Sequence, residues 1–158
     1  MFKKNSFTFV IHSSDAVLVN GPNYYFDIGN LSSSYDRYLI EVLSATINTS
    51  VNGNNGFLML VADDLAEDGV YTQNKLNGNQ CLLTAFNVTV GGFEGNNDIF
   101  FRSKDLRMKR RIKMTLKKPN FDDCVDGTDI NVGGNPTVFC IILQMTGLES
   151  NLMLGGSF

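Results

Sequence analysis

Hydrophobic residues recur at every second position along several short stretches of the chain, as they do in β-strands with one buried face. Phe7, Phe9 and Ile11 follow this pattern in the first stretch, and residues 24–28 repeat it. No stretch of helical length has apolar residues at a spacing of 3.6. We therefore predict eight strands, within residues 7–12, 24–28, 37–50, 57–62, 81–90, 98–102, 111–117 and 137–146.

Clusters of Gly, Asn, Asp and Ser separate these segments. Residues 52–56, Asn-Gly-Asn-Asn-Gly, are a strong hairpin signal because Asn-Gly tolerates positive φ, so we expect the third and fourth strands to pair. The longest break, residues 63–79, is interpreted as a loop with room for one helical turn at 64–68. Eight antiparallel strands are the number that a jelly roll needs. The predicted fold is all-β, a jelly-roll β-sandwich of about eight antiparallel strands.

The length of 158 residues fits one domain, which buries roughly 70% of the surface of the unfolded chain. A hydrophobic share of 43% and a charged share of 18% are those of a globular protein rather than a disordered one. We predict a single domain over 1–158, with an N-terminal extension (1–6) and a C-terminal extension (150–158). The apolar runs are shorter than the ~20 residues that span a bilayer, and the N-terminus lacks an apolar signal core, so no membrane span or secretion is expected.

Two predicted strands, 57–62 and 138–143, are apolar at both parities. An antiparallel sandwich normally exposes one polar face to water, so both faces of these strands must be covered. The cover is either the protein's own loops or another subunit, and the pattern alone leaves both open.

The chain offers few residues for catalysis. His12 is the single histidine, which excludes multi-histidine metal sites, and no nucleophile elbow or phosphate-binding glycine motif occurs. A histidine before Ser13-Ser14-Asp15 is more typical of a solvated or capping residue than of a triad. We predict no enzymatic activity, no cofactor and no metal site. Two acidic clusters have oxygen ligands for calcium but lack EF-hand spacing, and ordinary solvated surface is the alternative: Asp63, Asp64, Glu67 and Asp68, and Asp122, Asp123, Asp126 and Asp129.

Positive charge is concentrated in residues 107–118, which carry seven of the thirteen Lys and Arg residues. If residues 111–117 form a strand, Ile112, Met114 and Leu116 face the core, and Thr115 lies on the outer face among basic residues. This outward-facing row of basic residues, the basic stripe, could contact an acidic protein neighbour or nucleic acid, or it could be a charged surface that blocks edge-to-edge aggregation. A net charge of −3 and the lack of interleaved aromatics make nucleic acid the weaker partner. Four basic residues are the candidate interface: Lys109, Arg111, Lys113 and Lys117.

The C-terminal extension supplies three further interface candidates, Leu152, Leu154 and Phe158, because apolar side chains on a tail need a partner. Fraying of the terminus is the alternative. The three cysteines are odd in number and contain no C-x-x-C pair, as expected for reduced thiols in a cytosolic assembly.

The lengths and spacing of several strands resemble the single jelly-roll minor capsid and penton-type proteins of large icosahedral double-stranded DNA viruses. The stretches concerned are residues 7–15, 23–28, 38–45, and 112–116 followed by 138–143. The resemblance implies two four-stranded sheets, with 63–79 as an insertion, and no catalysis. It also implies lateral contacts with the major capsid protein and other minor capsid proteins, in a virion assembled in the host cytoplasm.

Two alternatives remain open. Within the same class, the chain is a pentameric penton protein at the capsid vertex. From another class, a β-sandwich lectin or receptor-binding module would hold a sugar with loop Asp and Asn residues and with Tyr24, Tyr25, Tyr35 and Tyr71. The absence of tryptophan, the usual stacking platform, counts against it.

Overall fold

The computed structural model describes residues 6–29, 35–51, 56–62, 64–65, 70–72, 75–77, 82–87, 100–107 and 109–148. These residues form eleven strands and one 3₁₀ turn, Ser13–Asp15. The strands are β1 (Ser6–His12), β2 (Leu18–Asn20), β3 (Asn23–Asp27), β4 (Arg37–Asn48), β5 (Phe57–Val61), β6 (Val70–Thr72), β7 (Lys75–Asn77), β8 (Leu82–Asn87), β9 (Phe100–Arg102), β10 (Arg111–Lys117) and β11 (Val138–Leu148). Each of the eight predicted segments overlaps a strand, with bounds that differ by a few residues.

The protein is all-β, and two antiparallel sheets form a sandwich-like arrangement. The first sheet has the order β1-β11-β4-β9, and the second has the order β2-β3-β10-β5-β8. The second sheet thus has five strands rather than the four that the resemblance implied, because β2 adds to its edge. With three residues, β2 is too short to leave a periodic signal in the sequence.

The core lies between the sheets. Burial alternates strictly along β11, whereas in β4 the alternation is offset by one residue between Val42 and Ala45, where the pairing with β11 shifts register. In β11 every second residue is buried, including Phe139, Ile141 and Leu143. In β10, Ile112, Met114 and Leu116 are buried, as predicted. A side-chain period of two gives each strand one core-facing row.

Aromatic rings connect the two sheets. Phe139 of β11 makes edge-to-face contacts with Tyr24 and Phe26 of β3, at centroid separations of 4.9 and 6.3 Å. Offset and edge-to-face arrangements are those that aromatic quadrupoles favour. The contacts fix how β11 and β3 face each other across the core.

The predicted pairing of the third and fourth strands is wrong. β4 is hydrogen-bonded on one side to β11 and on the other to β9, while β5 lies in the other sheet between β10 and β8. Both edges of β4 are occupied, so none is left for β5. An Asn-Gly turn reverses the chain, but it does not decide whether the returning strand stays in its sheet.

The interpretation of residues 63–79 as a loop also needs correction. β6 and β7 pair within this segment, with Val70 opposite Asn77 and Thr72 opposite Lys75. Three-residue strands lie below the length at which alternation is detectable. Of the possible helical turn, the structure describes Asp64 and Leu65 as a turn, and residues 66–68 lie outside the described part.

The two strands that are apolar on both faces have different surroundings. In β5, Val61 is buried on the outer face while Phe57 is 49% exposed. The outward residues of β11, including Cys140 and Ile142, are half-buried. The outer faces therefore keep accessible apolar surface. Among the described residues, no helix is long and apolar enough to cross a membrane.

Candidate functional site: a basic groove beside β10

A groove of about 660 Å³ lies where the start of β10 pairs with the end of β3. Arg111 lies opposite Asp27 in the register, and the Ile28 amide donates to the Arg110 carbonyl at 2.9 Å, which extends the ladder past both strands. Residues of the segment before β10 therefore line part of the groove. Its lining consists of Asp27, Gly29, Arg107, Lys109, Arg110 and Arg111.

Carboxylates from distant parts of the chain neutralise two of these cations. Arg111 Nε donates to Asp27 Oδ1 at 2.9 Å, and Lys109 Nζ lies 3.4 Å from Asp64 Oδ1. The other oxygen of Asp64 accepts the Lys113 amide at 3.0 Å, so the backbone of β10 fixes this carboxylate in place. Lys109 and Arg111, both predicted interface residues, thus lie together in the groove with internal partners.

Arg107 is held by two aspartates. Its Nη2 donates to Asp105 Oδ2 at 2.7 Å, and its Nε lies 3.2 Å from Asp36 Oδ1. The side-chain hydrogen bonds from Arg107 lower the pKa of Asp105 to about 2, with a further contribution from the Arg107 backbone amide, and the side-chain hydrogen bonds raise the pKa of the guanidinium. Both charges persist across the physiological pH range.

The other two predicted interface lysines lie on the outer face of β10. Lys117, with a side chain only 14% exposed, pairs with Asp123 at 2.6 Å. Lys113 is half-buried. Within the described part of the chain, neither Lys113 nor Arg110 has a carboxylate in ion-pair distance. They are the cations of this segment most available to an external anion.

Thr115 was predicted on the outer face of β10, but its side chain is buried. It has the outward parity but is 5% exposed, between Asn23 of β3 and Val61 of β5 in the register. Its Oγ1 donates to Asn23 Oδ1 at 2.8 Å, which satisfies the buried hydroxyl. In a central strand, side chains of the neighbouring strands on both sides can cover the outward residues. Alternation alone predicts these residues to be exposed.

The acidic loop after β10 uses its carboxylates internally. Asp129 Oδ2 accepts the Val125 amide at 2.8 Å, and Asp126 Oδ1 accepts the Val132 amide at 2.9 Å. Among the described residues, no group of three or more His, Cys, Asp or Glu side chains is arranged to hold a metal ion. Asp63, Glu67 and Asp68 of the other cluster lie outside the described residues.

His12 caps the 3₁₀ turn that follows β1, in agreement with the capping interpretation. Its Nδ1 accepts the Ser14 amide at 3.2 Å and lies 2.6 Å from Ser14 Oγ. The ring nitrogen is thus engaged in local structure.

A second, smaller pocket of about 230 Å³ opens beside the 3₁₀ turn. Two of its hydroxyls have hydrogen-bond partners, since Ser13 Oγ accepts the Phe139 amide at 3.0 Å and Thr137 Oγ1 accepts the Asn131 amide at 2.9 Å. The pocket presents mainly apolar surface. Its lining consists of Ser13, Ser14, Ala16, Val19, Tyr24, Val132, Pro136, Thr137 and Val138.

The described cysteines, Cys124 and Cys140, are free. Burial raises the pKa of the Cys124 thiol to about 12, with a further contribution from Asp129. The Cys124 thiol is therefore protonated at neutral pH. The remaining predicted interface residues, Leu152, Leu154 and Phe158, lie outside the described residues.

Sequence reasoning located the basic segment but missed the aspartates that neutralise it. Asp27 and Asp64 lie 84 and 45 positions from their partners, and no local spacing connects them. No protein-family model matches the chain, and no curated protein matches it in sequence. Function must therefore be inferred from the fold and its surfaces.

Proposed function

We propose that the domain is a jelly roll and serves as a structural component of a virion. In this proposal it is a minor capsid protein of a large icosahedral DNA virus, without catalytic activity. It packs against the major capsid protein and other minor capsid subunits in a capsid assembled in the host cytoplasm.

Strand order is the observation that carries the proposal. We leave aside β2, which adds to the end of the second sheet, and β6 and β7, which pair only with each other. Eight strands remain, and successive strands alternate between the two sheets except at β5 and β8. Numbered along the chain, they have the orders 1-8-3-6 and 2-7-4-5. A jelly roll, built from two Greek keys, arranges its eight strands in these orders.

Fold alone does not select a function, because jelly rolls occur in capsids, lectins and cupins. The surfaces favour assembly. Accessible apolar side chains occur on the outer faces of both sheets, with Leu39 of β4 at 39% and Phe57 of β5 at 49% exposure. A shell subunit acts through contact, and such positions become buried when a neighbour packs on them.

The charges favour a protein neighbour over nucleic acid. Five of the seven cations in residues 107–118 lie within 4 Å of an aspartate, so few are available to replace the counterions of a phosphate backbone. Arg110 and Lys113 remain to orient the subunit against an acidic patch on a neighbour.

A particle census tests the proposal. The chain, affinity-tagged and expressed in its native host, is followed through density-gradient fractions by quantitative mass spectrometry. We expect it in capsid-sized particles at a fixed ratio to a more abundant shell protein, and a ratio of five copies per vertex would identify a penton protein. Recovery of the chain only from particle-free fractions would contradict the structural role.

Charge reversal tests the contact surface. The double variant R110E/K113E should fold normally, because neither side chain has an internal carboxylate partner among the described residues, and should enter particles at least several-fold less well. The control is K104E, a half-buried lysine outside residues 107–118. Equal incorporation of both variants would remove this surface from the proposal.

A further inference from the structure

Among the described residues, β1 and β2 are edge strands of the first and second sheets. β1 pairs with β11 over seven residues, from Ser6 opposite Thr146 to His12 opposite Cys140, and no other described strand lies on its far side. The short 3₁₀ turn leads from β1 directly to β2, the edge strand of the second sheet. We call this surface, residues 6–20, the open edge.

Within the open edge, β1 lacks the features that usually keep sheet edges apart. Natural edge strands carry a lysine, a proline, a bulge or an inward charge, because unpaired N–H and C=O groups attract another strand. β1 has the sequence SFTFVIH and pairs with β11 without a register shift. From Ser6 to Phe26 there is one Asp, Glu, Lys or Arg, Asp15, although the chain contains 13 Lys and Arg and 16 Asp and Glu residues.

Apolar side chains are concentrated beside these backbone groups. Val10, Val17 and Leu18 are 53%, 51% and 51% exposed, and they are three of the six large exposed hydrophobic residues in the described part of the chain. Phe7 and Phe9 are half-buried against the core. A strand added here would bury apolar surface in addition to forming hydrogen bonds.

We propose that the occupant of the open edge is a second copy of this chain, with the two β1 strands paired antiparallel about a two-fold axis at Phe9. This register uses all seven residues, so Ser6 of one copy lies opposite His12 of the other and Thr8 lies opposite Val10. Odd-numbered residues of one copy lie opposite odd-numbered residues of the other, and even-numbered residues lie opposite even-numbered ones. The core-facing side chains of both copies therefore stay on the same face of a continuous eight-stranded sheet. Closed two-fold dimers are the commonest homo-oligomers.

The sequence of β1 suits pairing with a second copy of itself. β1 has no Asp, Glu, Lys or Arg that would select an oppositely charged partner, and pairing with itself opposes no like charges. The dimer goes beyond the proposed function. It concerns the isolated chain, whereas the particle census concerns incorporation, so either result can fail without the other.

Analytical ultracentrifugation of the full chain tests the dimer. We expect a dimer at micromolar concentration that the V10K substitution converts to monomer, since a lysine at an exposed position of an edge strand opposes pairing. The matched control is V125K, because Val125 is 52% exposed in the loop after β10. A monomeric wild type, or a V10K variant that still dimerises, would overturn the proposal. Melting temperatures of both variants are measured to confirm that they fold.

Cysteine cross-linking tests the register. Copies carrying T8C are mixed with copies carrying V10C, in a C140S background that removes the half-buried native thiol. Residues directly opposite on antiparallel strands lie within disulfide distance, so oxidation should yield a covalent dimer. The mixture of T8C with V125C should not cross-link. Equal cross-linking of the two mixtures would refute pairing through β1.

Discussion

Phe139 provides the most direct test of the sandwich. Its side chain is fully buried, and its ring contacts Tyr24 and Phe26 across the gap between the sheets. Truncation of a buried Phe to Ala destabilises a domain by about 3–5 kcal/mol. Each lost aromatic pair is worth about 0.5–1.5 kcal/mol beyond area burial, which favours the upper end of that range. We therefore expect F139A to lower the free energy of unfolding by about 5 kcal/mol.

Urea denaturation followed by far-UV circular dichroism measures this loss. With a denaturant slope of about 2 kcal/mol per molar, the unfolding midpoint should fall by about 2.5 M. The matched control is F57A, which removes the same side chain from a position that is 49% exposed and should cost less than about 1 kcal/mol. Equal losses in the two variants would mean that Phe139 is not in an inter-sheet core.

Three further predictions concern the pKa of Asp105, the reactivity of the two described cysteines and the pH dependence of stability. NMR titration should give Asp105 a pKa of about 2 that returns toward 3.8 in R107Q, because the lowering is due mainly to hydrogen bonds from Arg107; an unchanged pKa would contradict the pairing. Iodoacetamide should modify half-buried Cys140 faster than buried Cys124 in the folded protein, with equal rates in urea as the control; faster reaction at Cys124 would contradict its burial. Because folding raises the pKa of Cys124 from 9.0 to about 12, the folded state retains this proton longer than the unfolded state. The contribution of Cys124 to the free energy of unfolding should then be fully present below pH 9 and be lost between pH 9 and 12. The decline should be shallower in C124A, and identical pH profiles of the two proteins would refute the assignment.

Local pattern was sufficient for the strands and insufficient for their partners. Alternation located a strand in each of the eight predicted segments and assigned Ile112, Met114 and Leu116 to the core, since both follow from a side-chain period of two. It failed for the pairing of β4, whose neighbours β11 and β9 are distant in sequence. Pairing depends on which edges other strands have already filled, and no local spacing records this.

Gly147 illustrates the same limit at one residue. In the sequence it is an isolated glycine near the end of an apolar strand. In the structure, a Cβ atom at this position would lie 2.5 Å from the ring of Tyr35, which itself makes an edge contact with Tyr38 at 6.1 Å. The close approach of a ring from a distant part of the chain requires a glycine.

The candidate site divides in the same way. The sequence alone determined that positive charge is concentrated in residues 107–118 and that β1 is free of Asp, Glu, Lys and Arg, because composition along a segment needs no partner to be known. Only the tertiary structure decided that Asp27 and Asp64 neutralise part of that charge and that β1 lies at an edge. Ion pairs and sheet edges are relations between residues far apart in the chain, and folding alone brings those residues together.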